Sequence, residues 1–317
     1  MTKTRLYFVT DIHGSDKLFL KFVNAAKIYN CQVVIIGGDI AGKGIIPIFK
    51  LGNHYETEFK GNRYKIENEK ELNEIKKEIR FQGDYPLVVE KEEWNDLIKD
   101  ESKINNIFNQ LIGESIENWC KIAEERLKNS KIKVIINIGN DDPPIVEEVL
   151  KKSEFVVYPN EKIVWIDDNH EMLSLGYSNP NPWNLPGDLP EEILEEKINK
   201  LVDSTKEVRK SILNIHVPPF NTHLDIAPKL DKDLKPVLTP GGEPEMVHVG
   251  SIAVRNAIEK YQPLAGLHGH IHESKGYTKI KNTHCFNPGS EYSIGILKGV
   301  IINISENRVD NYLFVEG

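Results

Sequence analysis

Leu6-Tyr7-Phe8-Val9-Thr10-Asp11-Ile12-His13-Gly14-Ser15 compresses a strand, a polar loop and a helix start into ten residues. Leu6 to Thr10 has the aromatic and β-branched composition of a strand. Gly14-Ser15 opens a helix, because Ser15 is an N-cap type and Phe19, Phe22 or Val23, and Ala26 return at helical spacing. Between strand and helix stand Asp11 and His13. Two residues apart at a strand end, their side chains project to the same side and can converge on one small volume. A strand that feeds a helix in this way is half of a βαβ unit, and open α/β sheets place ligands at such strand ends.

The pattern repeats outward. Gln32 to Ile36 is the next strand and runs into Gly38-Asp39; Lys133 to Ile138 is another and runs into Gly139-Asn140-Asp141-Asp142. Asp142-Pro143-Pro144 combines an N-cap with prolines of a first turn, which predicts a helix from Ile145 to Lys152. Phe155 to Tyr158 and Lys162 to Asp167 read as strands, with Asp168-Asn169 turning the chain toward a strand from Glu171 to Tyr177. Leu194, Ile198, Leu201, Thr205 and Val208 trace one face of a helix spanning Glu191 to Lys210. Ser211 to His216 is a strand, a Pro/Gly-rich loop runs from Pro218 to Gly250, and Ser251 caps a helix to Tyr261. From Leu264 the chain is mostly strand and includes Gly269-His270-Ile271-His272.

A segment of different character separates Asp39 from Asn140. Glu58 to Ile66 suggests a hairpin around Gly61-Asn62, and Asn68 to Arg80 and Trp94 to Lys128 are charged helical stretches. Lys43 to Ile132 carries 16 Lys/Arg against 18 Asp/Glu, so it is no basic arm for nucleic acid.

The whole chain has 317 residues, 39% hydrophobic and 28% charged, with a net charge of −8. Together with a mean hydropathy of −0.40, this is the composition of a globular protein, with length enough for one large domain carrying an insertion. The acidic balance disfavours general attraction to nucleic acid or anionic lipid. Cys31, Cys120 and Cys285 are too few and scattered for a disulfide framework or a thiolate metal cage, which fits a reducing compartment. Neither a signal-peptide pattern nor a membrane-length apolar run is present, so a cytoplasmic location is expected.

The chemistry lies in five motifs at strand ends: Asp11-Ile12-His13, Gly38-Asp39, Gly139-Asn140-Asp141-Asp142, His216 and Gly269-His270-Ile271-His272. Two carboxylates, an amide and four imidazoles form an oxygen and nitrogen donor set suited to Mn, Fe or Zn. Seven ligands exceed what one tetrahedral ion uses. Two ions sharing a carboxylate would use them all.

In this order the motifs resemble the calcineurin-like metallophosphoesterase superfamily, whose pattern is Asp-x-His, Gly-Asp, Gly-Asn-His-Asp/Glu, a lone His and Gly-His-x-His. The resemblance spans nearly the whole chain except residues 43–132. It implies an α/β fold: a four-layer α/β/β/α sandwich of two β-sheets flanked by helices. Residues 43–132, outside the resemblance and between two of the motif loops, are expected to form a mainly helical insertion acting as a lid or specificity segment beside the site. The resemblance further implies that Asp11, His13 and His272 hold one divalent ion, that Asn140, His216 and His270 hold the other, and that Asp39 bridges them. Metal-bound hydroxide would then attack phosphorus.

One position departs from the pattern. Asp141 stands where the family often has a histidine assigned to substrate binding or to protonating the leaving group. A carboxylate beside two cations is a poor proton donor, so Asp141 is retained as a catalytic candidate of a different kind, beside Asn140. The expectation is a phosphodiesterase acting on a small or nucleotide-like phosphate ester, favouring good leaving groups. A phosphomonoesterase or nuclease of the same fold, and a metal-binding scaffold without turnover, are the alternatives. Gly52-Asn53-His54 matches the missing motif in letters, yet follows no clean strand, and is set aside. Asp142 is expected to cap its helix, His268 to be packed or hydrogen-bonded, and Asn287-Pro288-Gly289-Ser290 to form a tight turn.

Overall fold

Strands β1 (Thr4–Val9) and β2 (Val33–Ile36) are buried on both faces, apart from a half-buried Arg5, so each must be covered on two sides. Alternate residues of β1 show how. Leu6 and Phe8 enter one apolar cluster while Tyr7 and Val9 enter another. The computed structural model describes residues 3–317.

After β1 come α1 (Asp16–Ile28), β2, then β3 (Ile45–Leu51), β4 (His54–Phe59), β5 (Asn62–Ile66), α2 (Glu69–Phe81), β6 (Tyr85–Val89), α3 (Lys91–Leu97) and α4 (Glu101–Leu127). The middle of the chain supplies β7 (Lys133–Ile136), α5 (Pro144–Leu150), β8 (Lys162–Trp165), β9 (Glu171–Leu175), α6 (Glu191–Asp203) and β10 (Ile212–Ile215). The remainder holds β11 (Ile226–Pro228), β12 (Met246–His248), α7 (Ile252–Tyr261), β13 (Ala265–Leu267), β14 (Gly276–Ile280), β15 (Thr283–Asn287), β16 (Lys298–Ser305) and β17 (Arg308–Glu316).

Two sheets form the centre. One is ordered β17-β16-β1-β2-β7, with β1, β2 and β7 parallel; the other is ordered β14-β15-β13-β10-β9-β8, with β9, β10, β13 and β15 parallel. Leu6, Phe8, Ile35, Met172, Ile212, Leu267 and Phe286 fill the space between them. The outer face of the first sheet packs on α1, α4 and α5, and that of the second on α6 and α7 through Leu194, Ile198, Val254 and Ile258. This is the four-layer sandwich that the resemblance implied.

Several boundaries moved for local reasons. Helix α6 stops at Asp203, before the expected Lys210, because Thr205 Oγ1 donates back to Leu201 O and Lys206 N–H turns to Glu171. Phe155 to Tyr158 is not a strand and makes one isolated bridge, Ile135 to Val157. Asp142 does not cap α5, whose N-cap is Pro143 without a side-chain hydrogen bond. Ser15 and Ser251 do cap their helices, accepting from Leu18 and Val254 N–H.

The segment at 43–132, expected to be mainly helical, also contains a four-stranded sheet ordered β5-β4-β3-β6. Its strands β3 and β6 hold Pro47 and Pro86, residues that argue against a strand in sequence. They are tolerated because β6 is an edge, and because β3 pairs with β4 only from Phe49 onward. This sheet and α2 share a small cluster of Ile48, Phe59, Ile66, Leu72, Ile75 and Ile79. Helix α4 belongs elsewhere: Ile112, Ile116, Trp119, Ala123 and Leu127 lie in the same apolar cluster as α1 and α5. Helix α4 also meets the inserted sheet, where Phe108 stands edge-on to Tyr85 of β6.

Trp119 anchors that helix. Its ring stacks on Phe19 with centroids 4.5 Å apart, and its indole N–H donates to Asp16 at 2.6 Å. Trp119→Ala removes a fully buried side chain and should cost about 3–5 kcal/mol, read as a lower midpoint in urea unfolding; a midpoint equal to wild type would place α4 outside the core.

Candidate metal centre

The carboxyl ends of the parallel strands from both sheets meet at one place. Asp11 and His13 follow β1, Asp39 follows β2, Asn140 follows β7, His216 directly follows β10, and His270 and His272 follow β13. Asp11, His13, Asn140 and His216 are at most 1% exposed, and Asp39 is 5% exposed.

The loops are interlocked by backbone bonds: Asp11 N–H to Gly38 O, His13 N–H to Asp39 O, and Gly269 N–H to His216 O. Asp11, His13, Asp39 and His270 all have positive φ, between 39° and 66°. For side-chain-bearing residues this conformation costs roughly 1–3 kcal/mol each and persists only where surrounding structure enforces it. It turns consecutive side chains inward more sharply than extended backbone could. Two glycines make the room. A Cβ on Gly139 would lie 2.1 Å from Asp39 Oδ1, and one on Gly269 would lie 2.4 Å from Asp11 Oδ2.

His13 Nε2 stands 3.2 Å from His272 Nε2, which is 3.2 Å from Asp11 Oδ1. On the other side, His216 Nε2 stands 3.4 Å from Asp39 Oδ2, and Asp39 Oδ2 is 3.9 Å from His13 Nε2. Asp11, His13 and His272 can present donor atoms all within 4.8 Å of one another; so can Asp39, His216 and His270, and also His13, Asp39 and Asp141. Asn140 Oδ1 and both ring nitrogens of His216 are buried without a hydrogen-bond partner. Buried polar atoms left unpaired are costly, and imidazole nitrogens facing each other need a proton or a cation between them. The Asp/His clusters fit divalent metal.

Charge follows geometry. Burial opposes ionisation of Asp11 and Asp39, but the nearby histidines outweigh it and hold both carboxyls well below the usual range. His216 is pushed up to about 9, since Asp39 and Asp11 overcome its burial. His13 and His270 go the other way, to about 3 and about 4, with burial as the main cause.

Some of the supporting residues were not singled out in sequence. Asp188 Oδ1 accepts from Asn140 Nδ2 at 2.8 Å, which turns Asn140 Oδ1 inward. Ser178 Oγ lies 3.1 Å from His270 Nε2. Both flank the Asn/Pro-rich run 179–187 after β9, and their only sequence signal was a loop beginning at a strand end. Asp142 accepts from the backbone N–H groups of Ile40, Ala41 and Gly139, tying the loop after β2 to the loop after β7. Burial, with the field of Asp39 adding to it, raises its pKa to about 6 against those three bonds. Asn287 is more than a turn residue: its amide donates to Ile271 O, and Ser290 Oγ donates to Asp11 O at 2.7 Å. His268 is packed, with Nδ1 2.9 Å from Ile215 O. The start of α7, which could have met a phosphate, is occupied by Glu191, whose carboxylate accepts from Ile252 and Ala253 N–H. His54 lies at the start of β4, paired with Glu56 and apart from the cluster.

A two-sheet sandwich whose parallel strand ends gather Asp, His and Asn ligands defines a metallophosphoesterase-type fold. No family model matches the chain. The uncharacterized protein MJ1162 of Methanocaldococcus jannaschii is 33% identical over 179 residues, which are 56% of this chain and 71% of that protein. The crystal structure of TT1561 from Thermus thermophilus aligns with a TM-score of 0.52 at 12% identity, covering 94% of each chain. Another solved crystal structure aligns with a TM-score of 0.60 at 15% identity over 98% of this chain and 99% of that one. The chain and MJ1162 therefore belong to one family, and the solved structures show that the chain shares their fold.

Asp188→Ala should lower metal affinity about 10–100-fold, the usual cost of removing a group that orients a ligand, with circular dichroism unchanged; wild-type affinity for Mn would mean Asn140 is held by other contacts. Because His216 is protonated at neutral pH without metal and must be neutral to bind it, loading at pH 7 should release protons. Calorimetry of Mn binding in buffers of different ionisation enthalpy reads this directly, and buffer-independent heat would refute it.

Proposed function

We propose that this chain hydrolyses phosphate esters at the Asp/His cluster with two divalent ions, Mn, Fe or Zn, as a phosphodiesterase acting on small or nucleotide-like substrates. The observation that supports it is the sharing of Asp39, which stands near both His13 and His216 while Asp11 and His272 close one side and His270 the other. Asp11, His13 and His272 would hold one ion and Asn140, His216 and His270 the second, with Asp39 between. Bound there, such ions supply Lewis-acid charge and activate water for attack on phosphorus. The chain's own contribution is to fix the ligands before substrate arrives, through left-handed backbone, interlocked loops and the glycine gaps.

The diester preference rests on Asp141. Its N–H donates to Asp39 Oδ1 at 3.1 Å and its carboxylate is paired with Lys43, so it faces the cluster as an ionised acceptor. An ionised carboxylate has no proton to give a leaving group, which handicaps simple alkyl monoesters most. The inserted unit would serve as a specificity wall, since Gly83 approaches His13 O and Ser15 Oγ donates to Phe81 O at 2.6 Å. All seven expected ligand residues are present, which argues against a scaffold without turnover, and the acidic balance argues against a nuclease. The cysteines are free and buried, in keeping with a cytoplasmic setting. Among the described residues no helix is long and apolar enough to cross a membrane.

A Mn-supplemented assay should show turnover of an activated phosphodiester exceeding that of the matching monoester, with Asp39→Asn at background. Equal activity in wild type and Asp39→Asn would sink the metal assignment. Asp141→His should raise activity on poor leaving groups, by up to about 10²-fold if it restores a proton donor; no change would remove the argument for diesters.

A further inference from the structure

We propose that Lys43 is the phosphate-binding cation of this site, aimed by Asp141, so that a Lys–Asp ion pair stands at the position following Asn140 where the family pattern has histidine. The inference rests on the function proposed above and names one of its specificity residues.

Lys43 is the first residue of the inserted segment, four positions after Asp39. The backbone leading to it has little freedom. Ile40 and Ala41 N–H groups donate to the buried Asp142 carboxylate, and Gly42 N–H donates to Tyr85 Oη at 2.9 Å. A Cβ on Gly42 would lie 2.0 Å from Gly83 O, so the chain is clamped between the metal loops and the inserted sheet. The ammonium that emerges is directed to Asp141, whose backbone N–H is bonded to Asp39. Among the described residues, Lys43 is the sole lysine or arginine in ion-pair contact with an acidic residue of the cluster.

Stability does not explain the pair. The Lys43 side chain is 44% exposed and that of Asp141 is 21% exposed, and ion pairs open to solvent typically contribute only about 0–1 kcal/mol. Positioning does explain it. An ammonium held at the solvent-facing side of a carboxylate and imidazole cluster meets an incoming phosphoryl oxygen opposite the ligands, where a charged hydrogen bond is strong. Asp141 keeps the flexible side chain near the ester and cancels its charge before substrate arrives.

The test is calorimetric titration of inorganic phosphate into Mn-loaded protein, with Mn per chain measured on the same samples. Lys43→Met should weaken phosphate binding about tenfold with Mn content and melting temperature unchanged, and Lys43→Arg should stay within about threefold of wild type. If Asp141 aims Lys43, the loss caused by Lys43→Met should shrink in an Asp141→Asn background. On a diester, Lys43→Met should raise KM more than it lowers kcat. Phosphate affinity in Lys43→Met equal to wild type, or no phosphate binding by Mn-loaded wild type, would overturn the assignment. Equal losses in both Asp141 backgrounds would remove Asp141's role. Failure of wild type to hydrolyse any ester would instead strike the proposed function, because phosphate affinity is read without turnover.

Discussion

Two ionised carboxylates, Asp11 and Asp39, lie buried side by side where the two sheets meet, and the rest of the molecule is arranged around keeping them charged. Bringing like charges out of water is expensive unless opposite charge stands against them. His216 and His272 meet that need in the chain by itself, at 3.4 Å and 3.2 Å, and divalent cations meet it better. Those histidines come from the second sheet while the aspartates come from the first. Neither sheet can build the cluster alone, so the apolar layer between them also serves as the alignment device of the site.

That alignment is maintained by groups that do not themselves reach the centre. Asp142 gathers three N–H groups from two loops, Asn287 and Ser290 brace the Gly-His-x-His and Asp-x-His turns, and Asp188 orients Asn140. Each satisfies backbone or amide groups that would otherwise be buried unpaired. The consequence is a set of ligands held in strained left-handed conformations that free loops would not adopt.

The insertion is joined to this frame at its root. Gly42, Gly83 and Tyr85 press the inserted sheet against the loop after β2, and Lys43 leaves that clamp toward Asp141. The chain therefore places a cation beside the one motif position where it departs from the pattern it resembles. The departure and the insertion are physically a single feature.

The five Asp, His and Asn motifs, their places at strand ends and the sandwich were legible in the sequence, because strand ends advertise themselves by composition and period. The helix caps at Ser15 and Ser251 were legible for the same local reason. Asp142 was misread as a cap, since Asp-Pro-Pro looks the same whether its carboxylate serves its own helix or a loop 102 residues earlier. The strands with Pro47 and Pro86 were hidden because their tolerance depends on sheet order, and the packing of α4 on the core was hidden because nothing local shows Trp119 stacked on Phe19. The sequence by itself determined which atoms can hold metal and roughly where along the chain they lie. Only the tertiary structure decided the sharing of Asp39, the orientation of Asn140 and the meeting of Lys43 with Asp141, because these are contacts between residues remote in sequence and set by packing.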